Sequence, residues 1–146
     1  MRVDLDTYIR KLRDQLEGFD DFAARLMMQE TNSTLTKVKQ NIREQGVPGE
    51  AYSEGYSAFR AKKGRQTSKV DLTFSGRMMN NTQIQKIEPK GQGILVASIG
   101  PSQSLEKTKF NANQKRFGNF LKVQPKELEE FKKNYTNEVV RYLNDE

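Results

Sequence analysis

The chain has 146 residues, 34% of them hydrophobic and 30% charged, with a formal net charge of +6 and neither cysteine nor histidine. A length of this order suits one domain with a modest core. Without Cys or His, the chain has no disulfides, thiolate or imidazole metal sites, cysteine nucleophiles or Ser-His-Asp triads, so any chemistry would fall to carboxylates, lysines and hydroxyls.

Residues 4–45 are expected to be mostly helical. Leu5, Tyr8, Ile9, Leu12, Leu16 and Phe19 recur at spacings of three and four and so share one face. Gly18 is a candidate break, with Asp20 or Asp21 capping a second helix that carries Phe22, Leu26, Leu35, Val38 and Ile42. Gly46-Val47-Pro48-Gly49 then ends the helical region, with glycine at a left-handed cap and proline two residues on. Residues 47–69 hold no sustained period and close on Arg60, Lys62, Lys63, Arg65 and Lys69 with no acid among them. They are expected to form an extended basic arm that orders against a partner.

From residue 70 the pattern changes. Val70, Leu72 and Phe74 alternate with Asp71, Thr73 and Ser75, which predicts a strand over 70–75 that stops on Ser75-Gly76. Arg77, Met78 and Met79 leave room for one or two helical turns before Thr82. Residues 82–99 predict a β-hairpin around Pro89-Lys90-Gly91-Gln92-Gly93, its second strand apolar enough to be central in a sheet. Residues 103–113 suit a short helix with Leu105 and Phe110, and Phe117, Phe120 and Leu121 anchor the turn after it. Pro125 opens a last helix whose stripe is Leu128, Phe131, Tyr135, Val139, Tyr142 and Leu143. The fold class expected is therefore α+β, a single domain over 1–146. A small antiparallel sheet, the hairpin 82–99 plus the strand 70–75, is packed by the long N-terminal helix and the C-terminal helix, with 70–144 as the α+β core.

Charge is segregated along the chain. Residues 1–30 carry five basic and seven acidic side chains, residues 127–146 three and six, and residues 31–126 seventeen and six. A basic middle between acidic ends suggests one face that meets negative charge, nucleic acid among the candidates, although aromatics for base stacking are sparse. No apolar run approaches the roughly 20 residues that cross a bilayer, and the first residues include acids without an apolar stretch, so neither a membrane span nor a signal peptide is expected.

Chemical motifs are weak. A phosphate loop needs several glycines and Gly-Lys-Ser/Thr opening a long helix, whereas Ser75-Gly76-Arg77 offers one glycine, an arginine and a short helix. Asp71 with Glu88-Pro89-Lys90 has the spacing of a magnesium-dependent nuclease, but Pro89 and Gly91 make the second element a strand end running into a turn. The neighbours Asp20-Asp21 and Glu129-Glu130 point about 100° apart on helices and form no acid–base dyad unaided. Met27-Met28 and Met78-Met79 suit a role shared between core and interface.

The order of parts resembles the tail-completion and head–tail joining proteins of tailed bacteriophages, also called virion morphogenesis proteins. The matching residues are Thr73-Phe74-Ser75-Gly76-Arg77-Met78-Met79, then Lys107 and Lys109, then Arg116-Phe117 with Phe120-Leu121, within a likeness over roughly residues 35–143. Phe117-Gly118-Asn119 separates the arginine from Phe-Leu more widely than the commonest family pattern. The resemblance implies a structural protein without enzyme activity or cofactor, made in the host cytoplasm and placed in the virion neck or upper tail. It implies a six-fold ring of copies, neighbours among neck, connector and tail-tube or terminator proteins, and at most transient contact with DNA in the channel. The interface residues expected are Arg60, Lys62, Lys63, Arg65, Lys69, Ser75, Gly76, Arg77, Met78, Met79, Arg116, Phe117, Phe120 and Leu121. A sequence-nonspecific DNA-binding protein using the basic middle is the alternative, and a metal-dependent nuclease is third.

Overall fold

The computed structural model describes residues 4–92 and 94–144. In chain order its elements are α1 (Leu5–Gln45), α2 (Glu54–Lys62), α3 (Arg77–Asn81), β1 (Thr82–Pro89), β2 (Leu95–Pro101), α4 (Ser104–Phe117) and α5 (Pro125–Asn144). The class is α+β, with a long N-terminal and a C-terminal helix beside a two-stranded antiparallel sheet.

Helix α1 is one unbroken element of 41 residues, about 60 Å long at 1.5 Å per residue. Asp4 caps its start, accepting a hydrogen bond from the Asp6 N–H. Gly46, at φ 84°, ends it: its N–H still reaches the Ile42 carbonyl, and the next N–H, of Val47, crosses to the Val70 carbonyl. The break expected at Gly18 does not occur. The ring of Tyr142 stacks on Phe22 at 4.2 Å, and its hydroxyl donates to the Gln15 carbonyl. That hydroxyl lies 2.7 Å from where a Cβ on residue 18 would be. Gly18 is thus a close-approach site between two helices, and tertiary packing carries the helix through it.

Helix α5 runs antiparallel to α1. The pairs Leu143–Gln15, Asn134–Glu30, Glu130–Lys37 and Glu127–Asn41 run in opposite sequence directions. Pro125 occupies the first helical position, and Glu127 folds back to accept the Gln124 N–H. The core lies towards the C-terminal end of α1, where Val38, Ile42 and Val47 meet Val70, Leu72, Met78, Met79, Phe110 and Phe120.

Four further expectations need correction. Residues 70–75 form no strand. Val70 and Leu72 are buried as the alternation requires, but Asp71 between them is buried too, and Leu72 takes φ 55°, which bends the backbone out of extension. The sheet is therefore the hairpin alone, with Thr82 opposite Pro101, Ile84 opposite Ile99 and Pro89 opposite Leu95, and a bulge at Gln85. Apolar β2 is consequently not a central strand. One face of it turns towards helices, with Ala97 and Ile99 lining a groove against α1 and α5, and Val96 and Ser98 on the other face are exposed. Residues 47–69 are not an extended arm: α2 forms within them, and Lys69 turns back to the Glu44 carbonyl at the end of α1. The helix expected at 103–113 runs on to Phe117, and Gly118, at φ 67°, ends it.

Candidate interaction site

The segment between α1 and α3 is organised by one buried ion pair. Arg60, on the last turn of α2, is 1% exposed. Its guanidinium donates to Asp71 Oδ1 at 3.1 Å and through Nε to the Gln66 carbonyl at 2.9 Å. It lies over the Tyr52 ring at 4.5 Å, with the Tyr56 and Phe74 rings each at 5.9 Å. Asp71 Oδ1 also accepts the Tyr52 hydroxyl and the Thr73 N–H, each at 3.0 Å. Burial by itself pushes the Asp71 carboxyl up. The hydrogen bonds from the Thr73 N–H and neighbouring side chains outweigh it and hold the group below its ordinary value. The Tyr52 phenol is pushed up to about 12 by burial and by the adjacent Asp71 charge.

Arg60 of this pair forms part of one wall of a cavity of about 350 Å³. Tyr52 and Tyr56 enter from α2 and its lead-in, Phe74, Ser75, Gly76 and Met78 from the turn into α3, and Lys109, Asn113, Arg116 and Phe117 from α4. The turn is possible because Gly76 adopts φ 74° immediately before α3, a left-handed conformation that costs glycine little. Asn113 joins the walls, donating to the Lys109 carbonyl at 2.9 Å and to Met78 Sδ at 3.4 Å. At the rim, Arg116 lies over the Phe117 ring at 5.0 Å and Arg65 over Phe74 at 5.8 Å. Neither has a carboxylate partner among the described residues. Lys109 does, in the buried Glu106, whose second oxygen has no hydrogen-bond partner.

Six of the residues expected from sequence therefore meet around one cavity: Arg60, Ser75, Gly76, Met78, Arg116 and Phe117. Arg60 serves as wall and not as an exposed contact. Lys62, Lys63 and Arg77 are exposed and do not line it, and Lys69 is turned towards α1. Met79 and Phe120 are core residues, Phe120 packing edge-on against Phe110 at 5.0 Å. Leu121 lines a separate apolar groove with Leu35, Val38, Leu128 and Phe131. Sequence reasoning missed Tyr52, Tyr56, Phe74, Lys109 and Asn113 as site residues. The spacing of Tyr52, Tyr56 and Phe59 was the available signal, because it brings three rings together at the start of a short helix, Tyr52 against Tyr56 and Tyr56 against Phe59.

The nuclease constellation is not assembled. Asp71 is engaged by Arg60, whereas Glu88 sits between Lys86 and Lys90 on the hairpin. Among the described residues no group of three or more carboxylates is placed to hold a metal ion. Among the described residues no carboxylate lines the cavity, and an aromatic cavity with a cationic rim can take an acidic or mixed apolar–acidic chain. No known protein family, characterised protein or solved structure matches the chain.

Proposed function

We propose that the chain is a structural, non-enzymatic protein of a phage neck or upper tail, which completes the tail or joins it to the head by ring assembly. The observation that carries this reading is convergence. The Ser75–Met78 turn and Arg116-Phe117 lie some forty residues apart in sequence, are among the parts by which the chain resembles the joining proteins, and line one cavity together with Arg60 of the basic segment. Aromatic rings with arginines are the composition of contact hot spots between proteins. Deletion of the gene from its source element, with electron microscopy of the lysate, tests the proposal. DNA-filled heads beside separate or malformed tails are expected, and normal joined particles refute it. Lys63→Glu with Arg65→Glu, both exposed, is expected to block assembly while the isolated chain stays folded.

A second reading is favoured by one feature: Lys62, Lys63, Arg65, Arg77 and Arg116 are all exposed, and Arg65 and Arg116 lie over two rings of one cavity, Phe74 and Phe117. If that surface binds DNA without sequence preference, affinity falls steeply between low and moderate salt. Absence of binding at low salt removes this reading.

A further inference from the structure

We infer that the cavity between α2, the Ser75–Met78 turn and α4 receives the first turns of α1 from a second copy of this chain, in a head-to-tail contact. The inference rests on the assembly reading above and supplies the contact by which copies join.

The incoming element is visible at the other end of the molecule. Helix α5 holds α1 at Gln15, through the Leu143 carbonyl and the Tyr142 hydroxyl. Leu5, Tyr8, Ile9, Leu12 and Leu16 continue the apolar stripe of α1 to its N-terminal end, and all five are exposed, Leu5 at 68% and Leu16 at 71%. Five large apolar side chains on one helical face, about 18 Å long, form an apolar patch of the kind that marks a contact surface. At 100° per residue, Asp6, Glu17 and Asp20 run along one edge of the stripe, with Arg13 between them.

The receiving surface complements it in both respects. The rings of Tyr52, Tyr56, Phe74 and Phe117 offer apolar walls, and Phe59 and Leu105 stand exposed nearby. The cations Arg65, Lys109 and Arg116 meet the acidic edge. By sequence, residues 60–77 carry six basic side chains and one acid and residues 104–122 five and one. Residues 1–21 carry four and six. The like-charged surfaces repel, so pairing of unlike ends is favoured over pairing of like ends. One copy cannot satisfy both halves by itself, because α1, about 60 Å long, holds the stripe at one end and the cavity beside the other. Each contact therefore leaves one free stripe and one free cavity, the condition for a ring or a filament.

The test uses the full chain and sedimentation velocity over rising concentration. Wild type is expected to form species larger than a dimer. Leu12→Asp with Leu16→Asp disables the stripe, and Arg65→Glu with Arg116→Glu disables the cavity rim. These four side chains are exposed, and circular dichroism checks that each variant is folded. Each double variant alone is expected to associate at least about tenfold more weakly. Mixed together, they are expected to form a one-to-one dimer that grows no further, because the mixture retains one intact stripe and one intact cavity. Wild type that stays monomeric at every concentration overturns the inference, as does a mixture that does not pair. A cavity variant that assembles like wild type overturns it in favour of stripe-to-stripe pairing. Normal particles after gene deletion, with the mixture still pairing, would instead refute the phage reading and leave this contact standing.

Discussion

Replacing Arg60 by methionine keeps most of the side-chain volume and removes the charge, so it tests whether the buried pair organises the segment before α3. Breaking a buried ion pair by removing one partner costs about 3–5 kcal/mol, because an unpaired charge stays inside. Here Asp71 retains the Tyr52 hydroxyl and the Thr73 N–H, which places Arg60→Met at the low end, about 3 kcal/mol. In urea, with a slope of about 2 kcal/mol per molar, the midpoint falls by about 1.5 M. Asp71→Asn costs a similar amount by stranding the guanidinium. The double variant costs less than either, about 1–2 kcal/mol, since asparagine keeps the carbonyl acceptor and no charge remains. The pH dependence has a fixed sign. Asp71 ionises below its ordinary 3.8 in the folded chain, so its stabilising share is present above that pH and is lost as pH falls through the folded value. The gap between wild type and Arg60→Met narrows over the same range. Circular dichroism in urea at pH 7 and at pH 3 measures all four proteins. An Arg60→Met loss under 1 kcal/mol, or a double variant as costly as the sum of the singles, refutes the reasoning.

Gly18→Ala is expected to gain nothing in the wild-type background, because its Cβ displaces the Tyr142 hydroxyl from Gln15. In a Tyr142→Phe background it gains about 1 kcal/mol, the ordinary preference of a helix for alanine. Thermal melts of the four proteins decide this, and a gain in wild type contradicts the contact. Thr31 Oγ1 is buried without a hydrogen-bond partner beside Leu35, Val38 and Phe131. Thr31→Val is accordingly expected to stabilise by about 1 kcal/mol, and a loss in urea titration counts against that account. Tyr52 should ionise near pH 12. Its ultraviolet phenolate signal should disappear at that pH in Tyr52→Phe, and since the neutral phenol is the form the fold prefers, stability falls as pH rises from 10 towards 12.

Periodicity alone carried the helical parts. The spacing of Leu26, Leu35, Val38 and Ile42, and of Leu128, Phe131 and Tyr135, is read directly by the α1–α5 pairing, and Gly46 and Pro125 mark real boundaries. The errors share one cause, a partner distant in sequence. Gly18 looked like a break because Tyr142, which needs the space, is more than a hundred residues away. The alternation at Val70, Leu72 and Phe74 looked like a strand because an acid between apolar residues normally faces water. Arg60, eleven residues earlier, lets Asp71 face inward instead. The same arginine was counted among exposed contacts because nothing local distinguishes it from Lys62 or Arg65. The site was legible as three separate turns, and the rings of Tyr52, Tyr56 and Phe74 that join them were not.

The two methionines after Gly76 show how the cavity is kept open without a partner. Adjacent helical residues point about 100° apart, so Met79 enters the core while Met78 reaches both the core and the cavity wall. The Thr82 hydroxyl donates to the Met78 carbonyl at 2.8 Å, and Lys39 of α1 reaches the Thr82 carbonyl. On the opposite wall Arg60 is held by Asp71, Gln66 and Tyr52. Both walls are therefore fixed by the folded chain itself, and a partner arriving at the cavity orders few side chains. Preorganisation of this kind lowers the cost of association. Arg60→Met should consequently weaken self-association more than its exposure suggests, even at concentrations of denaturant where the chain remains folded. If the variant folds and associates like wild type, the cavity is not the contact surface.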